Sequence, residues 1–326
     1  MPSPRPLASL SLDLDNKWSY MKTHGDAGWE QFPSYLDVVV PRVLDILKRH
    51  NLKITFFIVG QDAALEQNRS VLKSIAEESH EIANHSFHHE PWLHLYSREK
   101  LEAELRGAED AIEHATGARP VGFRGPGFSL SKDAVEVLIR RGYLYDASTF
   151  PTFLGPLARA YYFMKSRLDE NQHQERKNLF GSFRDGLRPL QAYRWNSAGS
   201  GQLLEIPVTT MPIFRVPIHV SYLLYLATFA PKLALRYFRL AMNLCRATGV
   251  EPSLLLHPLD FLGCDDECQL SFFPAMNVVS RKKVEFVERV LEIYAAKFEV
   301  LPMHRYAKAV AHRTVAQFAP QALLTP

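Results

Sequence analysis

Cysteine is nearly absent: the 326 residues include three, Cys245, Cys264 and Cys268. An odd count suits a reducing compartment better than a disulfide framework, and Cys264-x-x-x-Cys268 lacks the two-residue gap of common zinc knuckles. No apolar run is long enough to span a bilayer. Charge of one sign is slight too, with a net +3. No basic run interleaved with aromatics is present to follow a phosphate backbone, so no nucleic-acid partner is expected. The opening Met1-Pro2-Ser3-Pro4-Arg5-Pro6 passes straight into a strand pattern. It lacks the charged start, apolar middle and small-residue cleavage site of a secretory signal, and a cytoplasmic location is expected.

What is present is a large apolar fraction, 47%, enough to bury one barrel-sized core. Strand-length apolar runs alternate with helix-period segments. Strands are expected at Ala8–Leu14, Ile54–Val59, Glu81–Asn84, Val121–Phe123, Tyr143–Tyr145, Leu203–Val208 and Ser253–Leu256. Helices are expected at Tyr35–His50, Ala63–Ser79, Ser97–Thr116 and Ser131–Arg141, the last two closed by Gly117 and Gly142. Such alternation implies an α/β fold with parallel strand pairing, and in a barrel of these units reactive residues gather at the C-terminal ends of strands. One catalytic barrel over residues 1–310 is expected, with an insertion at about 151–250 and a tail over 311–326.

Two stretches carry chemistry. Asn84-His85-Ser86-Phe87-His88-His89-Glu90-Pro91-Trp92-Leu93-His94 holds four histidines. His85 and His89, four apart, converge on one cation if they share a helical turn or a tight loop. Asp15 is the natural third ligand, because a His/His/carboxylate set leaves an open coordination position for a reactive water. Asp13, two residues earlier, shares a strand face or end with Asp15 and is free to act as a base. The competing reading is that the aspartates merely end a strand and the histidines decorate a polar loop.

Several short motifs, in order, resemble the polysaccharide deacetylases, the NodB-homology family of metal-dependent carbohydrate de-N-acetylases. They are Asp13/Asp15, His85-Ser86-Phe87-His88-His89, Arg124-Gly125-Pro126, the pair Asp146 and Phe150, and Leu255-Leu256-His257. The resemblance implies a distorted (β/α) barrel of the glycoside hydrolase/deacetylase type and hydrolysis of an N-acetyl or N-formyl amide on an amino sugar or glycoconjugate. Leu14 separates the paired aspartates, as in a divergent branch that includes deformylases of lipid-linked amino sugars and cyclic-imide hydrolases, and Pro207-Val208-Thr209-Thr210 resembles that branch as well. Gly127 replaces an aromatic and Phe150 stands where tryptophan is common, so the sugar-stacking wall differs and chitin-like polymers are disfavoured.

By this resemblance Asp15, His85 and His89 hold a divalent cation, most readily zinc, with cobalt, manganese or iron also tolerated by the set. Asp13 takes a proton from the attacking water. Arg124 is expected to pair with Asp13 in a bidentate contact, and the Gly127 amide to face the oxyanion. His257 is the expected general acid, with Asp146 pairing to raise its pKa and Asp260 serving structure. A cyclic-imide or ureide hydrolase and a noncatalytic glycan-binding relative stay open as alternatives.

Within the insertion lie a charged segment, Lys165–Arg188, and one long helix expected over Val220–Arg246. Its Tyr222-Leu223-Leu224-Tyr225-Leu226 run beside Lys232, Arg236, Arg239 and Arg246 suits either an ordinary barrel helix or peripheral contact with an anionic membrane.

Overall fold

The computed structural model describes residues 4–154, 183–197, 201–313 and 315–320; most of the charged segment Lys165–Arg188 lies outside them. Strands and helices alternate as β1 (Leu7–Asp13), α1 (Lys17–His24), α2 (Leu36–Arg49), β2 (Thr55–Ile58), α3 (Gly60–Ala64), α4 (Glu66–Glu77) and β3 (Glu81–Asn84). There follow α5 (Arg98–Thr116), β4 (Gly122–Phe123), α6 (Lys132–Arg140), β5 (Tyr145–Asp146), β6 (Tyr193–Ser197) and β7 (Gly201–Glu205). The chain continues with α7 (Val220–Phe229), α8 (Pro231–Thr248), β8 (Ser253–Leu256), α9 (Ser280–Lys297), β9 (Glu299–Leu301), α10 (Met303–Val310) and β10 (Gln317–Phe318).

Local chemistry accounts for most boundaries. The Ser97 and Ser131 hydroxyls accept from Lys100 N and Ala134 N and start α5 and α6, while Gly117 closes α5 in the left-handed conformation. Two expected helices are each two. The segment expected as Ala63–Ser79 breaks at Leu65, which is extended (φ −89°, ψ 116°). The helix expected over Val220–Arg246 breaks at Ala230 (φ −147°, ψ 74°). Pro231 crowds the residue before it out of the α region and offers no N–H, so it starts α8 rather than continuing α7.

The strand order is β10-β6-β7-β5-β4-β3-β2-β1-β8, with β9 also paired to β1. All these pairings are parallel except the β6–β7 hairpin, which lies in the segment expected as an insertion and extends the sheet. Among the described residues the paired ladder does not close, but Thr209 N donates to Ser253 O (3.0 Å) and Ser253 N to Thr209 Oγ1 (2.7 Å). These bonds join the chain beyond β7 to β8, so the sheet curls back on itself.

Neighbouring strand residues part to opposite faces, as the two-residue period of a pleat requires. Phe56 and Ile58 join the large outer core under the helices, whereas Phe57 joins an inner cluster with Ala83, Tyr145, Leu204 and Met303, Tyr306 and Val310 of α10. In β1 the same alternation sends Leu10 and Leu12 outward. Ser11 and Asp13 reach inward to Arg124, which closes the inner cluster at the C-terminal end of the strands.

Candidate active site

The expected site residues fall at that end. Asp13 ends β1, His85 follows β3, Arg124 follows β4, Asp146 ends β5 and His257 follows β8. Asp15 lies just beyond β1, its position fixed by its neighbours. The Tyr35 hydroxyl donates to Asp15 O (2.5 Å), and Asn16 Nδ2 donates to Asp62 Oδ1 (2.7 Å) while Asn16 Oδ1 accepts from Lys17 N and caps α1.

His85 and His89 reach Asp15 from a tight loop, not a helical turn. Ser86 (φ 64°) and His89 (φ 53°) adopt left-handed backbone, which is unusual for residues other than glycine. Anchored amides offset the cost. Asn84 Oδ1 accepts from Ser86 N (2.8 Å), and Glu104 Oε1 of α5 accepts from Phe87 N (2.9 Å) and His88 N (2.7 Å). The second oxygen of Glu104 pairs with His88 Nδ1 (2.7 Å), which gives His88 a role in shaping the loop. Burial opposes ionisation of Glu104, but His88 and these amides hold its carboxyl below the usual range. The sequence reading missed Glu104; its spacing from His88 has meaning only once α5 packs behind the loop.

Asp15 Oδ1 lies 3.0 Å from His89 Nε2 and 3.3 Å from His85 Nε2. Among the described residues these three form the one group of histidine, cysteine and carboxylate side chains arranged to hold a metal ion, with donor atoms within 4.8 Å of one another. His85 Nδ1 is 2.6 Å from Arg124 O, a carbonyl that accepts only, so the ring carries its proton on Nδ1 and offers the Nε2 lone pair to a cation. Burial opposes the Asp15 charge, yet His89 and His85, when protonated, outweigh it and hold that carboxyl well below its ordinary range, a part a bound cation would take over from those protons. The donor set therefore fits a divalent cation with room for further ligands.

Arg124 is fully buried and meets Asp13 through one contact, Nη1 to Oδ1 at 2.5 Å. The expected bidentate pair does not form, because the guanidinium fork serves four acceptors, with Nη2 directed at Met303 Sδ (3.9 Å). Nη1 also donates to Ser11 Oγ (2.9 Å) and Nε to Ala147 O (2.9 Å), while the plane lies over Phe57 (4.2 Å). This leaves Asp13 Oδ2 unclaimed by Arg124 and 4.0 Å from His85 Nε2, at the edge of the ligand group.

Asp146 does not pair with His257. It is buried and bonds to Ser148 Oγ (2.6 Å), and the register of β5 with β7 sets it opposite Glu205. Burial first, and Glu205 second, push its pKa well above the ordinary carboxylate value, against the Ser148 hydrogen bonds that lower it. Glu205 meanwhile accepts from Thr149 N (3.0 Å), Thr149 Oγ1 (2.7 Å) and Trp195 Nε1 (2.9 Å). The carboxylate beside His257 is Asp260, expected to be structural, whose Oδ2 accepts from His257 N (2.8 Å).

A row of rings crosses the site. Phe128 stacks on Phe150 (4.9 Å), Phe150 lies 5.7 Å from His219, and His219 lies 5.7 Å from His257. Gly127 precedes Phe128 in left-handed backbone (φ 59°), in a turn that abuts Pro91. His94 N donates to Ser129 Oγ (2.8 Å) and ties the histidine loop to this turn. His219 escaped the sequence reading because it is a lone histidine ahead of an apolar run. Burial, then His257 and Arg124, keep it neutral.

The comparisons with known proteins agree with the motifs. Residues 26–145, which include His85, His89, Arg124 and Gly127, match the polysaccharide deacetylase family model. Asp13, Asp15, Asp146, Phe150 and His257 lie outside the matched residues. The peptidoglycan-N-acetylglucosamine deacetylase PgdA of Listeria monocytogenes is 36% identical over 98 residues, 30% of this chain and 20% of that protein. The peptidoglycan deacetylase-like protein FGM2 of Gibberella zeae is 35% identical over 161 residues, 48% of this chain and 46% of its own length. The chain thus spans a fifth of one curated relative and under half of the other. A solved Mycobacterium smegmatis structure assigned by name to the polysaccharide deacetylases aligns over 97% of this chain and 94% of its own, with TM-score 0.60 and 20% identity. That likeness bears on the α/β fold.

Proposed function

We propose that this chain is a metal-dependent amidohydrolase that removes an acetyl or formyl group from the nitrogen of an amino sugar. The observation that carries the reading is the convergence of Asp15, His85 and His89 beside Asp13, which Arg124 holds through Oδ1 while Oδ2 faces the group. Asp15, His85 and His89 would hold the cation, zinc, cobalt, manganese or iron, which when bound supplies Lewis acidity and a water that is easier to deprotonate. Asp13 takes that proton on Oδ2, while Arg124 fixes the carboxyl through Oδ1 and keeps a compensating positive charge beside it. Gly127 N is assigned to the developing oxyanion. His257 gives a proton to the departing amine, which leaves poorly as an anion. Phe128 and Phe150 form an apolar wall for the sugar face.

The test is metal content by elemental analysis for wild type and His85→Ala, purified without a metal-affinity tag, joined to a screen for acetate and formate release from N-acyl sugars. One equivalent of metal in wild type, lost in the variant, together with acyl release by the wild type, is the expected result. A wild type that binds no metal and cannot be reconstituted overturns the reading.

We also infer that α7 and α8 meet an anionic membrane surface. Tyr222, Tyr225 and Phe229, the last 74% exposed, lie along one face of α7. Exposed Leu233 and Leu240 of α8 continue the apolar surface among exposed Lys232, Arg236 and Arg239. Aromatic and basic side chains side by side suit the headgroup region, and no helix among the described residues is long and apolar enough to cross a membrane. Co-sedimentation is expected with vesicles containing phosphatidylglycerol and not with phosphatidylcholine alone. Equal binding to both, or to neither, refutes the contact.

A further inference from the structure

We propose that Ser221 and Asp260 position His257 for proton donation, as a relay that takes the place expected of Asp146. The catalytic part of this inference rests on the hydrolase reading above; the placement of the three groups does not.

Asp260 is buried, and both its oxygens are used. Oδ2 accepts from His257 N (2.8 Å) and Oδ1 accepts from Ser221 Oγ (2.7 Å), while the same Oγ lies 3.1 Å from His257 Nδ1. A hydroxyl has one proton, and the shorter bond to the carboxylate claims it. Ser221 Oγ therefore accepts from His257, whose neutral ring carries its proton on Nδ1. The second proton enters at Nε2, the nitrogen left free, and is the one to be donated. The carboxylate grips His257 twice, at its backbone and through the hydroxyl, so the ring is fixed in rotation and in tautomer.

Burial raises the pKa of Asp260, while His257, the Ser221 hydroxyl and Lys283 oppose that rise and favour the carboxylate. Lys283 of α9, buried, approaches from one side, and Asp260 supports its charge although burial pushes its pKa down to about 8. Tyr20 of α1 contributes a neutral phenol whose hydroxyl is buried without a hydrogen-bond partner. His219 is neutral, and Arg124 is engaged by Asp13. Ser221 sits in the first turn of α7, so the relay forms only when the segment between β7 and β8 packs against the loop after β8.

The test uses the metal-loaded, full-length enzyme. Long-range nitrogen–proton NMR, with the His257 signals assigned by their loss in His257→Gln, should show the Nδ1–H tautomer in wild type, a mixture in Ser221→Ala and recovery in Ser221→Thr. Kinetically, Ser221→Ala should lower kcat roughly tenfold, a fraction of the ~10²–10⁴ that acid–base groups supply, with KM and metal content unchanged and activity restored by threonine. A wild-type ring protonated on Nε2 alone, or a Ser221→Ala enzyme with unchanged tautomer and kcat, overturns the relay. An Nδ1–H ring in a wild type that releases no acyl group supports the placement and counts against the hydrolase reading alone.

Discussion

Asp13→Asn is expected to lower turnover by about three orders of magnitude while the protein keeps its cation, the scale of a lost general base. The asparagine oxygen can still accept from Arg124 at the position of Oδ1, so the surrounding structure has little reason to move. What is lost is a second oxygen able to take a proton. Asp15→Ala or His85→Ala should instead lose metal and turnover together, because each removes a member of the ligand group. Steady-state acyl release beside elemental analysis separates the two classes of variant. An Asp13→Asn enzyme with turnover near wild type would remove Asp13 from the role of base.

Arg124→Ala is expected to cost the most stability of any single change in the site, about 3–5 kcal/mol, the loss typical when one partner of a buried ion pair is removed. The reason is what it leaves behind. Asp13 remains buried with its charge unmatched, while Ala147 O and Ser11 Oγ lose a donor and Phe57 loses the guanidinium over its ring. Arg124→Met with Asp13→Asn fills similar volume without a stranded charge and should recover part of the loss. Urea unfolding followed by circular dichroism checks both. A loss under about 1 kcal/mol for Arg124→Ala would place the pair in the weak class of solvent-exposed salt bridges and contradict its burial.

Arg124 also shows why two neighbouring motifs differed in how far they could be read ahead. Its contact with Asp13 was expected, since both sit at the C-terminal ends of parallel strands, and any barrel of such units brings those ends together. Its single-point geometry was not, because Ser11 Oγ, on the same strand as Asp13, and Ala147 O, just beyond β5, compete for the same guanidinium. Asp146 was assigned to His257 by motif alone. Its actual neighbour follows from β5 pairing with β7 in a register that sets Asp146 opposite Glu205. Burial and the neighbouring carboxyl both disfavour a charge on a group so placed, which makes it a poor partner for a histidine.

Within the sequence itself lay the alternation of strands and helices, the Ser97, Ser131 and Gly117 boundaries, the candidate ligand group Asp15, His85 and His89, and the stop at Pro231, where one helix had been expected. These follow from chemistry local to a few residues: side-chain period, caps, the missing N–H of proline, and donors placed four apart. Tertiary structure alone decided that Glu104 anchors the histidine loop, that His219 joins the row of rings, and that Asp260 rather than Asp146 serves His257 through Ser221. Each of those depends on which strands become neighbours and which helices pack behind a loop. Such contacts are settled by burying apolar surface across the whole chain, and no short stretch of residues encodes them.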